Sequence, residues 1–272
     1  MLHSLDRPEL GVAQFASYDL LDTKITPTTI GDLLAIVQSH VDAESQCVVA
    51  SQNMHGLYVG LNELSFGDLH ALPSTYVHID GMPIVWLCRL FGIPATREQR
   101  VTLVDWIWPL LEKAANKGWR VYYLGGSESV IATGAAAILA RIPNLQLRSR
   151  NGFFAEDDEA ASRAIVEDVR AFEPQIMLVG MGMGRQERWI LRNLEGLSPT
   201  SVCTVGACME YIAGSVSTPP RWMGDVGLEW LFRLVENPRR FWFRYCIEPL
   251  VVIAAICRRS LQHRASRESN RV

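Results

Sequence analysis

The chain has 272 residues, of which 49% are hydrophobic and 20% charged, and its formal net charge is −3. This composition is typical of one sizeable globular domain, alone or with an appendage, and the sequence contains no low-complexity segment and no repeat at a fixed period. The charge is uneven, because residues 221–272 contain ten arginines and five acidic residues, a net +5, whereas residues 1–220 carry −8.

We expect neither a secretory signal at the N-terminus nor a membrane-spanning segment near the C-terminus. The N-terminal "MLHSLDRPEL" has neither a basic segment nor an apolar core, so we expect no secretory signal. The longest apolar run near the C-terminus, "PLVVIAAIC", has nine residues, whereas a membrane-spanning helix needs about 20. The six cysteines form no Cys-x-x-Cys pair, which predicts buried, reduced thiols in a cytosolic protein.

Runs rich in β-formers alternate along the chain with helical patterns. The predicted strands are 47–51, 75–79, 119–124, 145–150, 175–180 and 201–206. The predicted helices are a short one near 54–63, then 82–92, a long stretch 97–118 that ends on a glycine, one from about 128 to 141, and one near 156–172.

Strands separated by helices of this length predict an α/β fold with a mostly parallel, Rossmann-like sheet. After about residue 215 the strands stop, "TPP" interrupts the chain, and the sequence becomes helical and rich in Trp and Arg. We therefore predict an α/β domain over 1–215 and a helical appendage over 216–272.

Three alternating glycines, Gly180, Gly182 and Gly184, follow the predicted strand 175–180. A dinucleotide fingerprint has the pattern Gly-x-Gly-x-x-Gly, so its third glycine would stand at position 185, which is Arg185. The fingerprint also belongs on the first strand–helix unit of the fold. The turn therefore either simply connects a strand to a helix or presents backbone N–H groups to a phosphate, with Gln186 available to a ligand.

A second junction of strand, glycine and helix is "LGGSESV", which contains Gly125 and Gly126. Ser127 is a good helix cap, and a helix N-terminus also favours an anion. Capping and phosphate binding both remain open here.

Asp80 ends a predicted strand among apolar neighbours in "VHIDGMPIVW". A carboxylate there is costly to bury and would have a raised pKa, which suits a general base. Its alternative role is to cap the next helix.

A metal site is not expected in this chain. No third or fourth ligand stands near Asp80 and His78 at a spacing that suits a metal ion, and no Asp-x-Asp triplet is present. We therefore predict no metal and no other cofactor.

These pieces in their order resemble the WecG/TagA/CpsF glycosyltransferases over roughly residues 45–245. The segments that carry the resemblance are "ASQN", "HIDGMPIVW", "QRVTLVD", "VYYLGGSESV", "NGFF", "VGMGMGRQE", "VGACMEYIAG" and "PPRWMGDVGLEWLFRLVENPRRF". The last is the most specific.

The resemblance implies a bacterial, inverting, metal-independent enzyme. Such an enzyme moves a sugar from a UDP-sugar to a polyprenyl-diphosphate-linked sugar at the cytoplasmic face of the inner membrane, in synthesis of exopolysaccharide or cell-surface polysaccharide. The donor sugar, glucose or an N-acetylhexosamine, stays open. The alternatives are a non-catalytic membrane-associated protein that binds nucleotide sugars and, less favoured, a nicotinamide-dependent oxidoreductase.

The resemblance also assigns site residues. It makes Asp80 the general base and gives a substrate-binding role to Ser51, Asn53, Arg100, Gly125, Gly126, Gly182, Arg185, Gln186, Glu187, Glu210, Arg221 and Arg233. Two departures stand out: Glu210 occupies a position where the family often has Asp, and Thr218 one where it commonly has Arg. If that arginine binds diphosphate, Arg221 and Arg233 are its candidate replacements.

The tail has the pattern of a segment that binds a membrane surface without crossing it. In "LEWLFRLV", Leu228, Leu231, Leu234 and Val235 recur on one helical face, and "FWFRY" (241–245) supplies four aromatic residues around an arginine. Arginines interleaved with aliphatic runs favour an anionic membrane over nucleic acid. The apolar stripe could instead pack on the α/β body or in a homo-oligomer.

Overall fold

The computed structural model describes residues 15–197 and 200–269, except for the side chains of residues 225 and 260–269. The N-terminal segment for which no secretory signal is expected, residues 1–10, lies outside these residues. Arg264 and Arg267 of the predicted membrane-binding tail lie among the residues whose side chains are not described.

Eight strands and thirteen α-helices make up the described part of the chain. The strands are β1 (Tyr18–Leu20), β2 (Thr23–Ile25), β3 (Cys47–Gln52), β4 (Thr75–Ile79), β5 (Arg120–Gly125), β6 (Gln146–Arg150), β7 (Ile176–Gly180) and β8 (Ser201–Thr204). The helices are α1 (Ile30–Asp42), α2 (Met54–Asn62), α3 (Leu64–Ala71), α4 (Met82–Leu90), α5 (Leu103–Lys117), α6 (Glu128–Arg141), α7 (Glu159–Phe172), α8 (Arg185–Asn193), α9 (Cys208–Ile212), α10 (Arg221–Asp225), α11 (Glu229–Glu236), α12 (Pro238–Trp242) and α13 (Glu248–Ser269).

Six of the strands form one parallel sheet in the order β4-β3-β8-β7-β5-β6, and β1 and β2 form a separate antiparallel pair. The predicted α/β class with a parallel sheet is confirmed. All six strands have their carboxyl ends at one edge, where open α/β sheets bind their ligands. The register of β3 on β4 sets Ser51 beside His78 at this edge.

Helices cover both faces of the sheet, as a parallel sheet requires. On one face the core contains residues of α2, α3, α4, α7, α8 and α13, and on the other residues of α1, α5, α6 and α9. Successive strand residues alternate between the two cores: Val48 and Ala50 belong to the first, and Cys47 and Val49 to the second.

The predicted long helix over 97–118 is wrong over its first six residues, 97–102. Residues Arg97–Gln99 form a 3₁₀ turn, and Arg100 forms a parallel bridge with Ile79 at the end of β4. The helix itself begins at Leu103, where the Thr102 hydroxyl donates to Asp105 at 2.6 Å, and it ends at Gly118, which takes a left-handed conformation with φ 69°.

The helical tail is attached to the α/β body through α13. Val252, in the second turn of α13, is fully buried in the same core as Leu57 of α2. The ring of Phe243, in a π-helical turn (Phe243–Ile247) before α13, meets the ring of Tyr58 edge-on at 6.1 Å. In the described part of the chain, no helix combines the length and apolar character that a membrane span requires.

Candidate active site

A polar cleft of about 330 Å³ lies beyond the carboxyl ends of β3, β4, β7 and β8. Eight of the predicted site residues line it: Ser51, Asn53, Asp80, Arg100, Gly182, Gln186, Arg221 and Arg233. A larger hollow of about 520 Å³ lies elsewhere, near Gly118, Arg120, Gln146 and Gln175. It contains none of the predicted residues, and we place the candidate site in the smaller cleft.

Asp80 is held at the end of β4 by the start of α2. Asn53 caps α2, since its side-chain oxygen accepts from the Gly56 N–H at 3.0 Å, and its amide nitrogen donates to Asp80 Oδ2 at 3.0 Å. Asp80 also donates its own N–H to the Gln52 carbonyl at 2.8 Å. The helix after Asp80 is capped by Gly81 without a side-chain hydrogen bond, so Asp80 is not a helix cap.

Two buried polar atoms in the cleft lack a partner. His78 Nδ1 and Thr204 Oγ1 make no hydrogen bond within the described residues, although both side chains line the cleft. Burial lowers the pKa of His78, against the opposing effect of Asp80. The imidazole, which meets the ring of Trp106 edge-on, is therefore neutral at pH 7. Buried polar groups normally have partners, so these two atoms are available to a polar ligand.

Five arginines and three carboxylates make the lining of the cleft net positive. The arginines are Arg100, Arg221, Arg233, Arg240 and Arg244, and the acids are Asp80, Asp105 and Glu229. Arg100 lies 3.3 Å from Glu229 and 3.9 Å from Asp105, and Arg221 pairs with Asp105. This lining suits an anionic ligand.

Arg233 enters the cleft from the tail and is partly buried. Burial works against its charge, but Tyr211, Tyr245, Asp80 and Glu229 outweigh it and raise the pKa of the guanidinium. Its guanidinium carbon lies 5.3 Å from the centre of the Tyr211 ring, a distance that allows a cation–π contact.

The glycine turn after β7 presents Gln186 to the cleft and fixes its orientation. Gln186 Oε1 accepts from the Gly206 N–H at 3.2 Å, and Nε2 donates to Glu187 Oε1 at 2.8 Å. Glu187 in turn accepts from the Gly184 N–H at 2.6 Å. Burial raises the pKa of Glu187 to about 7. Glu187 thus fixes the orientation of the Gln186 side chain through a hydrogen bond but does not itself line the cleft.

Four more predicted site residues also lie outside the lining of the cleft. Arg185 donates to the carbonyls of Gly152, at 2.8 Å, and Phe154. Gly125 packs against the backbone of Gly180, and Gly126 belongs to the turn before α6, where Ser127 caps the helix by accepting from the Val130 N–H. Glu210 is half-buried, burial raises its pKa, and its Oε2 has no partner in the described part of the chain. Their substrate-binding roles stay predictions.

Sequence reasoning missed several lining residues. They are His55, His78, Thr102, Asp105, Tyr211, Glu229, Arg240 and Arg244. Six of them lie in segments that the resemblance marked without giving them a role: His78, Thr102, Asp105, Tyr211, Glu229 and Arg240. His55 and Arg244 lie outside those segments, and no local pattern indicates that they face the cleft.

The described residues contain no group of three or more His, Cys, Asp or Glu side chains placed to hold a metal ion. The acids of the cleft instead pair with arginines or with Asn53.

A parallel α/β sheet with a carboxylate and an arginine-rich cleft at its carboxyl edge defines a class of protein that binds anionic substrates such as nucleotides. Within that class the chain belongs to the WecG/TagA/CpsF family of glycosyl transferases, whose sequence model matches residues 18–266. The suspected resemblance is confirmed, and the protein is a glycosyltransferase by family.

Two relatives carry the same name, N-acetylglucosaminyldiphosphoundecaprenol N-acetyl-beta-D-mannosaminyltransferase. The protein from Bacillus spizizenii is 27% identical over 67% of this chain and 68% of its own length. The protein from Staphylococcus aureus strain MW2 is 26% identical over 61% of this chain and 63% of its own length, so the match leaves over a third of that relative unmatched.

Proposed function

We propose that the protein transfers a sugar from a UDP-sugar to a polyprenyl-diphosphate-linked sugar, with inversion at the anomeric carbon and without a metal ion. The observation that carries the proposal is the position of Asp80, fixed by Asn53 in a cleft lined by five arginines. The similarity to enzymes named for transfer to N-acetylglucosaminyl-diphosphoundecaprenol supports a lipid-linked acceptor.

Asp80 acts as the general base in this proposal. One of its oxygens, Oδ2, accepts from Asn53, and the carboxylate takes the proton of the acceptor hydroxyl as that oxygen attacks the anomeric carbon of the donor. The bond from that carbon to the diphosphate oxygen breaks on the opposite face, and UDP leaves with the bonding electrons. A single displacement of this kind inverts the configuration.

Arginine side chains and backbone N–H groups stabilise the leaving diphosphate. Arg100, Arg221 and Arg233 lie in the cleft with Gly182, and guanidinium groups match phosphate oxygens bidentately. Of the two arginines proposed to replace the family arginine missing at Thr218, Arg233 is the more buried and Arg221 the more exposed.

The surface of the tail supports a membrane-facing orientation. Large apolar side chains are exposed on α10, α11 and the segment from α12 into α13: Trp222, Val226, Trp230, Leu231, Val235, Trp242, Phe243, Leu250, Val251 and Ile253. Trp86 and Leu90 of α4 add to them, with Trp86 close to Gly227. Exposed apolar surface with Arg239, Arg240 and Arg258 nearby fits an anionic bilayer. We place the enzyme peripherally on the cytoplasmic face.

The proposal is tested with purified protein, short-chain lipid-linked acceptors and a panel of UDP-sugars. The acceptors are N-acetylglucosaminyl-diphosphate-lipid and glucosyl-diphosphate-lipid, and the donors include UDP-N-acetylmannosamine and UDP-glucose. We expect one pair to give UDP and a disaccharide-lipid, unaffected by excess EDTA. Binding of a UDP-sugar without turnover of any pair would indicate the non-catalytic alternative, and activity lost to EDTA and restored by Mg²⁺ or Mn²⁺ would overturn metal independence.

A further inference from the structure

A histidine and a buried glutamate 193 positions apart join the tail to the wall of the cleft. His55 lies in the first turn of α2, two residues after Asn53, which holds Asp80. Its Nδ1 lies 2.7 Å from Oε2 of Glu248, the first residue of α13. Glu248 is only 4% exposed, and its carboxylate makes no other hydrogen bond with described residues.

The carboxylate determines which nitrogen of His55 is left as a hydrogen-bond acceptor. A carboxylate at neutral pH only accepts hydrogen bonds, so the proton between the two groups belongs to His55 Nδ1. In the neutral ring Nε2 is then an acceptor, and it has no hydrogen-bond partner among the described residues. The ring is kept neutral because burial and Arg244 lower its pKa more than Glu248 and Glu63 raise it.

An acceptor nitrogen selects the chemistry of its partner. Nε2 repels a phosphate oxygen, which has no proton to share, and pairs with a hydroxyl or an amide N–H. The cleft therefore offers two kinds of contact side by side: guanidinium groups such as Arg244 for phosphate, and His55 Nε2 for a sugar substituent.

The place of His55 in the cleft indicates which sugar it meets. It lies on the wall where α2 joins the tail, together with Arg244, and its neighbour Asn53 positions the base that must touch the attacking hydroxyl. A wall beside the base suits the sugar that supplies the attacking hydroxyl, which is the acceptor.

We propose that His55 accepts a hydrogen bond from a hydroxyl or acetamido N–H of the lipid-linked acceptor sugar, and that Glu248 is the positioning residue that fixes its tautomer and ring. The inference rests on the proposed function and names an acceptor-specificity residue within it.

A pair of substitutions separates the two nitrogens of His55. His55→Asn keeps an N–H donor near Nδ1 for Glu248 and removes the atom at Nε2, whereas His55→Gln places an amide oxygen near Nε2. With the acceptor that the wild-type enzyme uses, we expect His55→Asn to raise the acceptor KM about fivefold, the value of one neutral hydrogen bond, while the donor KM changes less than twofold. His55→Gln should recover part of the loss.

Glu248→Gln tests the positioning role. Its amide can still accept from Nδ1 but can also rotate to donate, which no longer fixes the tautomer. We expect the acceptor KM to rise by a smaller factor than in His55→Asn and the donor KM to stay unchanged. The double variant His55→Asn/Glu248→Gln should then be no worse than His55→Asn alone.

Tyr58→Leu is the matched control. It removes the ring contact with Phe243, which also joins α2 to the tail, and it leaves His55 and Glu248 unchanged. Its acceptor KM should stay within twofold of the wild-type value. An equal rise in Tyr58→Leu, or an unchanged acceptor KM in His55→Asn, would overturn the proposal while wild-type turnover continues. Failure of the wild-type enzyme with every acceptor would instead overturn the proposed function.

Discussion

At the scale of single residues, the proposed chemistry depends on one carboxylate, Asp80, that makes no salt bridge within the described part of the chain. Asp80 has an amide, Asn53, as its hydrogen-bonded neighbour at 3.0 Å, whereas Asp105 pairs with two arginines. A hydrogen bond from a neutral amide orients the carboxylate of Asp80, whereas the carboxylate of Asp105 is already occupied by cations. This difference between two acids of one cleft is what singles out Asp80 as the base.

We expect Asp80→Asn to lower kcat by about 10²–10⁴, the usual contribution of a general base. The KM for the UDP-sugar should change little, because the substitution preserves shape. The measurement is initial-rate kinetics of UDP release. Asp168→Asn is the control, since Asp168 bonds to Tyr122 and Arg148 outside the cleft. Turnover within a factor of two of wild type in Asp80→Asn would remove Asp80 from the mechanism.

A second single-residue effect concerns stability and pH. His70 is fully buried against Phe66, and neither ring nitrogen has a partner among the described residues. Burial, aided by the nearby charge of Lys24, lowers the pKa of His70 to about 3. Below pH 6.5 the unfolded chain therefore binds a proton that the folded protein does not. The unfolding free energy is therefore unaffected by His70 at pH 7 and falls as the pH drops from 6.5 towards 3.

We expect His70→Leu to reduce the acid sensitivity of folding. Each pH unit in that window corresponds to about 1.4 kcal/mol per histidine. Between pH 6.5 and 5 the unfolding free energy of the wild type should therefore fall by about 2 kcal/mol more than that of the variant. Urea unfolding at several pH values measures the difference, and the other histidines, common to both proteins, cancel. Parallel pH profiles would contradict the assignment.

At the scale of elements, the glycine turns serve two different purposes. Gly125 ends β5 at φ 151°, and a Cβ there would lie 2.1 Å from the carbonyl oxygen of Gly180. Gly182 has φ 85°, lines the cleft, and a Cβ would meet no atom within 4 Å. The first glycine allows two strands to approach, and the second leaves room for a ligand at a turn.

The same substitution to alanine should affect mainly stability at Gly125 and mainly ligand binding at Gly182. Gly125→Ala should destabilise the fold by about 3 kcal/mol or more, because backbone must move, whereas Gly182→Ala should cost only about 1 kcal/mol of conformational strain. Conversely, Gly182→Ala should weaken UDP-sugar binding. Chemical denaturation and donor KM, measured on both variants, test this. Equal stabilities would show that the close approach at Gly125 is easily relieved.

At the scale of the whole molecule, the tail has two sides. One side packs on the body through Val252 and Glu248 and brings arginines into the cleft, and the other exposes a run of aromatic and aliphatic side chains. The earlier alternatives of packing on the body and contacting the membrane are therefore compatible. Deleting α13 would uncover the core around Val252, so substitutions on the exposed side are the cleaner test.

We expect the triple variant Trp242→Ser, Leu250→Ser, Ile253→Ser to lose most of its binding to liposomes with anionic lipid while keeping its fold. These side chains are 52%, 61% and 52% exposed, and their apolar area drives insertion at the headgroup level. Flotation measures binding. The control is Leu139→Ser, Phe153→Ser, which changes exposed apolar residues outside the tail. Undiminished flotation of the triple variant would show that the tail is not the anchor.

The sequence by itself determined the local features of this protein. Alternating strands and helices predicted the parallel sheet, and Asp80 and the glycine turns were found because strand ends and turns have signatures within a few residues. The long helix was extended too far, to 97, because the bridge of Arg100 to Ile79 is a long-range pairing that periodicity does not register. The elements before residue 47 were not predicted.

Only the tertiary structure decided which of these residues share a cleft. It brings Arg240 and Arg244 of the tail to the carboxyl edge of the sheet, places Glu187 behind Gln186, and joins His55 to Glu248 across 193 positions. Such contacts depend on where helices pack against the sheet, which is set by burial of non-local apolar surface such as Val252 and not by any short pattern. The chemistry of each residue can be read from the sequence, but the partner that orients it is fixed by the fold.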